Sequence, residues 1–309
     1  VSVDLPKEYM GASVQLKDSK GAVVPSWTGL SDGKMTLIFK AEVPSFGYET
    51  YSLMKVEAKQ EAMMPEATKV LENSMYRIEF DPKRGGVIKS LVCKTGGKRE
   101  IVSKGEYLFG EIKGHFADLG RFCSSADAPA TVMLVEDNDF VKTVRISGFI
   151  ASHPFTETIT ILEGDPKIHF DLDIDWKGDV AIGEYRQQDA YKNPERAIYD
   201  EKYRMNIYFP AALKSPELYK QAPFDVCKSE LESTRFSNWN DIKHNIILGW
   251  VDLEDAEGNG FSLFSDHTTA YAYGDTPLAL AVQASGNGLW GRHYVIDRPT
   301  ELSFCIMPH

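Results

Sequence analysis

The sequence predicts an all-β protein built as an antiparallel sandwich, and three observations carry that prediction. Segments in which apolar and polar residues alternate with period two recur along the 309 residues. Turn signals such as Ser31-Asp32-Gly33, Gly85-Gly86, Gly96-Gly97, Glu163-Gly164-Asp165-Pro166, Gly258-Asn259-Gly260 and Gly286-Asn287-Gly288 separate them at short spacing. Helical periodicity is scarce, with only 183–200 and 215–221 reading as short helical candidates. Many short strands with few helices make a sandwich rather than an α/β fold.

Taken in order, residues 1–58 read as a small β module with strands at 34–43 and 50–58. The stretch 59–68 is rich in Glu, Ala, Met and Lys and reads as a linker. Residues 69–309 then read as one large sandwich. Its strands are expected at 75–80, 86–93, 130–136, 140–149, 155–161, 168–176, 203–209, 246–253, 260–264, 269–273, 277–284 and 300–307. The clearest is 168–176. Ile168, Phe170, Leu172, Ile174 and Trp176 point one way, while His169, Asp171, Asp173 and Asp175 point the other. A strand with one apolar and one acidic face belongs to an antiparallel sheet wetted on one side.

Composition narrows the function classes. Hydrophobic residues make up 43% of the chain, enough for a sizeable core. A net charge of −11 repels phosphate backbones, which argues against a nucleic-acid partner. No apolar run is long enough for a transmembrane helix, and no signal peptide or N-x-[ST] sequon is present. Cys93, Cys123, Cys227 and Cys305 lack CxxC spacing and read as free thiols, not as a disulfide framework or a zinc site. The chain opens on Val1 and stops at His309 directly after a strand, which reads as a piece of something longer. Together these features point to a bacterial cytoplasmic protein.

Several residue groups have the chemistry of a site. Asp171, Asp173 and Asp175 share a strand face with neighbours roughly 6.5–7 Å apart, close to the spacing of paired glycosidase carboxylates. The same pattern is that of an ordinary solvated face, and that is the reading adopted. Asp266-His267-Thr268-Thr269 at a strand end offers a carboxylate, an imidazole and hydroxyls to sugar hydroxyls, or a turn held by its own side chains. His293 and Asp297 add metal-ligand types without a familiar spacing. Gly286 to Gly291 matches G-x-G-x-x-G literally, yet lacks a βαβ context and reads as a tight turn presenting Trp290 and Arg292. Trp290 either stacks on a pyranose face or plugs the core. Arg235 has the fork to orient a sugar or carboxylate, in a polar stretch with Asp225, Trp239 and His244. His115, Asp118 and Arg121 form a similar loop group, and no G-x-S-x-G supports a serine hydrolase. No group here is assigned as catalytic.

Four segments carry a family resemblance. They are Val43-Pro44-Ser45-Phe46-Gly47-Tyr48-Glu49-Thr50-Tyr51; Leu71 to Asp81 followed by Gly85 to Leu91 and Lys94; Tyr208-Phe209-Pro210; and Trp250-Val251-Asp252-Leu253 through Pro308-His309. In this order the chain resembles the C-terminal β region of the α-mannosidases of glycoside hydrolase family 38. The resemblance implies a large sandwich of the galactose-mutarotase-like type. It also implies a retaining, zinc-dependent enzyme whose zinc ligands and nucleophilic Asp lie upstream, where nothing in this chain matches. The expected role is therefore to pack on an upstream catalytic domain and help bind a mannoside, with Arg235, Asp266, His267, Trp290 and Arg292 as sugar contacts. Zinc is expected in the catalytic domain and no cofactor in this chain. Two rivals are a stand-alone carbohydrate-binding module and an aldose-epimerase-like enzyme pairing His169 or His267 with Glu157 or Glu184.

Overall fold

The computed structural model describes residues 1–31, 34–56, 64–183, 203–229, 244–287, 293–294 and 296–309. All of the described strand pairs are antiparallel, and the described residues contain three short 3-10 turns but no α-helix.

Two large sheets form the sandwich. The larger has ten strands, in the order Asp225–Lys228, Glu217–Ala222, Trp250–Glu254, Gly260–Ser265, Thr300–Pro308, Ile168–Ile174, His153–Leu162, Val141–Ile150, Thr131–Asp137 and Glu66–Ala67. The other has six, in the order Arg121–Ser124, Glu111–Phe116, Met205–Phe209, Leu278–Gln283, Thr269–Ala272 and His244–Ile247. Their inner faces meet through aromatic contacts: the ring of Phe209 lies 5.8 Å from Phe261 and 5.7 Å from Phe304 on the facing sheet. A four-stranded sheet, running from Arg99–Glu100 to Val70–Glu72, adds Leu71, Ile78, Phe80 and Leu91 to the same continuous core.

Residues 2–56 form two three-stranded sheets around a small apolar cluster of their own, centred on Leu16, Leu37 and Phe39. Within the stretch read as a linker, Glu66 and Ala67 pair with Leu134 and Met133 at the edge of the ten-stranded sheet.

The strand Ile168–Ile174 follows its sequence pattern. Ile168, Phe170, Leu172 and Ile174 are buried, while Asp171 and Asp173 are exposed. The exposed carboxylates have ordinary surface partners, since Asp171 accepts from the Ser303 hydroxyl and Asp175 pairs with Lys177.

Two expectations are corrected. The stretch 215–221, read as helical, is the strand Glu217–Ala222, paired with Trp250–Glu254 and Asp225–Lys228. Its helix-forming Glu and Lys are overridden by cross-strand pairing and by burial of Leu218. The expected strand 246–253 is two strands, His244–Ile247 in the six-stranded sheet and Trp250–Glu254 in the ten-stranded one. The chain crosses between sheets at Leu248-Gly249, and apolar residues on both sides hide the crossing from a period-two reading.

Candidate functional site

The register gathers several loops at one end of the sandwich. Thr300, Ile174 and Phe155 lie side by side there across the ten-stranded sheet, and Met205 lies opposite Gln283 across the six-stranded one. Gln283 donates from Nε2 to Thr300 Oγ1 at 2.9 Å, so the two sheets meet at this end. The hairpin turn between Phe116 and Arg121, the stretch Trp176 to Gly183, Tyr203 and Ser285 all converge there, and the Asp266-His267 turn joins strands of the two sheets beside it.

The deeper layer of this end is polar but satisfied. Trp176 Nε1 donates to Thr300 Oγ1 at 2.8 Å. His153 stacks on Phe116 at 5.7 Å and accepts the Lys177 backbone N–H at Nδ1 at 3.0 Å. Burial holds its imidazole below the usual histidine range, so His153 is a neutral acceptor. Ser285 Oγ accepts the Ile182 N–H at 2.7 Å.

The outer layer is an open aromatic group. His115 meets the Phe122 ring at 5.1 Å and the Tyr203 ring at 5.0 Å, both edge-on, and Phe122 and Tyr203 stack with 17° between their planes. His115 Nδ1 lies 3.1 Å from the Gly183 carbonyl, which can only accept, so Nδ1 carries the proton and Nε2 is the acceptor of the neutral ring. Such rings suit the apolar face of a sugar.

The sequence-predicted sugar contacts fare unevenly. Asp266 and His267 lie in the turn between Gly260–Ser265 and Thr269–Ala272, paired with each other and facing solvent. Ser265 Oγ donates to the His267 carbonyl at 2.7 Å and holds that turn. Arg235, Trp290 and Arg292 lie outside the described residues, as do Glu184 and Trp239. The first two residues of the G-x-G-x-x-G stretch, Gly286–Asn287, pair with His293–Tyr294 as a short β ladder.

The acid–base pair of the epimerase-like reading does not form from Glu157 and His169. Glu157 lies opposite Leu172 on the buried face of the ten-stranded sheet, and His169 lies opposite Thr160 on the outer face. The sheet itself stands between them.

One hollow was missed by the sequence. On the outer face of the ten-stranded sheet, Tyr219, Val226, Trp250, Asp252, Glu254, Ser262 and Phe264 line a cavity of about 410 Å³. Burial pushes the Asp252 carboxyl up, but bonds from His309 Nε2 (3.0 Å) and Ser262 Oγ (2.6 Å) outweigh it and leave the group below the usual carboxylate range. The signal was the alternation Trp250, Asp252, Glu254 against Val251 and Leu253, which sets an aromatic beside carboxylates on one face.

The model of the glycosyl hydrolases family 38 C-terminal domain matches residues 71–283. The chain belongs to this family. The match runs from the four-stranded sheet to the strand Leu278–Gln283 and takes in the whole six-stranded sheet.

Solved structures agree on the fold of this family 38 chain. It is similar to an α-mannosidase from Enterococcus faecalis V583, with TM-score 0.65 and 11% identity over 100% of this chain and 40% of that one. A glycosyl hydrolase family 38 protein from Enterococcus faecalis gives the same score and identity over 42% of its length. This family 38 chain thus spans less than half of either protein. A galactose mutarotase related enzyme from Lactobacillus acidophilus aligns over 80% of the chain with TM-score 0.41. No curated protein matches the chain.

Among the described residues, no three His, Cys, Asp or Glu side chains come together to hold a metal ion, and no helix is long and apolar enough to cross a membrane.

Proposed function

We propose that this chain is the C-terminal β portion of a retaining, zinc-dependent α-mannosidase, that it packs on that enzyme's catalytic domain, and that it forms one wall of the sugar cleft. The family match over residues 71–283 carries the reading. Zinc bound in the catalytic domain would supply Lewis-acid binding of mannose hydroxyls. An Asp there would attack the anomeric carbon with retention. This chain contributes shape and polar contacts. Its proposed sugar contacts are Asp266 and His267 with Arg235, Trp290 and Arg292.

An exposed apolar loop supports the packing role. Phe46 and Tyr48 are 112% and 86% exposed, with Val43 beside them at 56%. Apolar side chains left this open mark a surface that another body covers. Residues 1–58 are proposed as the module that presents this loop, with 59–68 as its tether to the sandwich.

The test is association. The chain and a separately produced family 38 catalytic domain should co-elute in size-exclusion chromatography. The double variant Phe46→Ser, Tyr48→Ser should weaken that complex at least tenfold. Co-elution unaffected by the double variant would remove this loop from the interface, and the absence of any complex would contradict the packing reading.

A further inference from the structure

A second kind of site lies on the outer face of the ten-stranded sheet, away from the loops considered above. The register sets six side chains in one row across six strands: Trp250 opposite Phe264, Phe264 opposite Cys305, Cys305 opposite His169, His169 opposite Thr160, and Thr160 opposite Thr143. Residues directly opposite in an antiparallel sheet point to the same face and touch. The row therefore runs from the aromatic hollow straight to a thiol and an imidazole.

Cys305, His169 and Asp165 are joined in sequence by hydrogen bonds. His169 Nε2 lies 3.1 Å from Asp165 Oδ2, and His169 Nδ1 lies 3.2 Å from Cys305 Sγ. The carboxylate can only accept, so Nε2 carries a proton and points it at Asp165. That fixes the tautomer and turns the Nδ1 lone pair toward the thiol. A base aimed at a thiol and oriented by a carboxylate is the arrangement that activates a sulfur nucleophile. It is not a chelate, because both imidazole nitrogens are already engaged. His169 and Cys305 are half-buried, so the sulfur is within reach of a small reagent.

We propose that Cys305 is a nucleophilic site for low-molecular-weight disulfides, with His169 as its base, Asp165 as the group that positions His169, and the hollow at Trp250 and Phe264 receiving the organic part of the reagent. The thiol gives its proton to His169 Nδ1. The thiolate sulfur attacks one sulfur of the disulfide, a new S–S bond forms, and the old one breaks. The departing thiolate takes the proton from the imidazolium, so one disulfide and one thiol become one mixed disulfide and one thiol.

The charged surroundings fit this role. Besides Asp165, the surroundings of His169 hold Asp171 on its own strand, Lys167 just before that strand, with Nζ 4.8 Å from the Phe264 ring centre, and Arg145 across the sheet. Burial pulls the His169 imidazole down, but Asp165 and the Cys305 sulfur outweigh it and push the group up to about 9. An imidazole held this way favours the proton that the thiol must give up.

The probe is 2,2′-dithiodipyridine, a neutral flat disulfide, with the labelled cysteine located by peptide mass spectrometry. Cys227, half-buried and with no imidazole hydrogen bond among the described residues, is the internal reference, since Cys93 and Cys123 are buried. At pH 7, Cys305 should react at least tenfold faster than Cys227. In His169→Asn that advantage should vanish at pH 7, and the wild-type and variant rates should converge at pH 9.5. Asp165→Asn, which keeps an oxygen to accept the Lys167 N–H, should lower the Cys305 rate severalfold while leaving Cys227 untouched. A Cys305 rate no greater than that of Cys227, or one indifferent to both substitutions, would overturn the proposal.

Discussion

Glu157 and His169 sit on neighbouring strands of the same sheet, and both titrate above their ordinary range for opposite reasons. Glu157 faces the core among apolar side chains, and its Oε1 has no hydrogen-bond partner. Burial alone pushes the carboxyl up to about 8, so at neutral pH it is a protonated, uncharged acid. His169 faces outward, where burial opposes its charge but Asp165 and Cys305 sustain it. In the proposed relay its charged form is the one that has taken the Cys305 proton at Nδ1. The sheet is one pleated layer thick, yet its two faces hold an uncharged acid and a proton-holding imidazole on adjacent strands. The face a side chain points to, more than its position along the chain, sets its chemistry.

The largest test of that contrast is at Glu157. A carboxyl raised in the folded state binds its proton more tightly there than in the unfolded chain. Its contribution to stability is therefore complete below the unfolded value near 4.5 and is lost as pH climbs towards 8. Glu157→Gln cannot ionise. Urea unfolding should find the two proteins similar at pH 5 and the Gln variant more stable by about 4 kcal/mol at pH 9, from the size of that shift. Equal stabilities at pH 9 would mean that Glu157 has a partner or water contact that keeps it charged.

The next effect is purely apolar. Leu172 is the strand neighbour of Glu157 on the buried face, at 2% exposure. Leu172→Ala should cost about 3 kcal/mol through lost burial and the cavity left behind, measured by the urea midpoint. A cost under about 1 kcal/mol would show that this part of the core relaxes to fill the gap.

His169 comes third. A histidine raised by its partners stabilises the fold fully below its unfolded value and loses that contribution as pH rises through about 9. The side chain is 34% exposed, so solvent screening reduces the effect to about 1–2 kcal/mol between pH 6.5 and 9.5. His169→Asn should flatten the wild-type decline in that window. The smallest effect belongs to Asp173, exposed on the strand of Leu172, where Asp173→Ala should change stability by less than about 0.5 kcal/mol.

The sequence made the Ile168–Ile174 strand legible because a sheet with one dry face writes itself as strict alternation. It made Glu111–Phe116 illegible for a packing reason. The inward position between Ile112 and Phe116 is Gly114, where an added Cβ would stand 2.8 Å from the Met205 backbone. Close approach of two strands demands glycine there, and the apolar pattern acquires a gap. The Gly85-Gly86 turn was legible because both residues adopt left-handed backbone angles, φ 65° and 77°, that other residues resist. Of the site, the Asp266-His267 turn could be found from its residue types. The Cys305–His169–Asp165 relay could not, because Cys305 is 136 residues from His169 and only the pairing of two distant strands unites them.

The proposed division of labour between this chain and a catalytic domain is tested most directly by turnover. Hydrolysis of a nitrophenyl α-mannoside with zinc added should be undetectable for the chain alone. It should appear when the chain is joined to a family 38 catalytic domain, at a rate above that of the catalytic domain by itself. Turnover by the isolated chain would contradict the account and return attention to Asp171, Asp173 and Asp266 as reacting carboxylates.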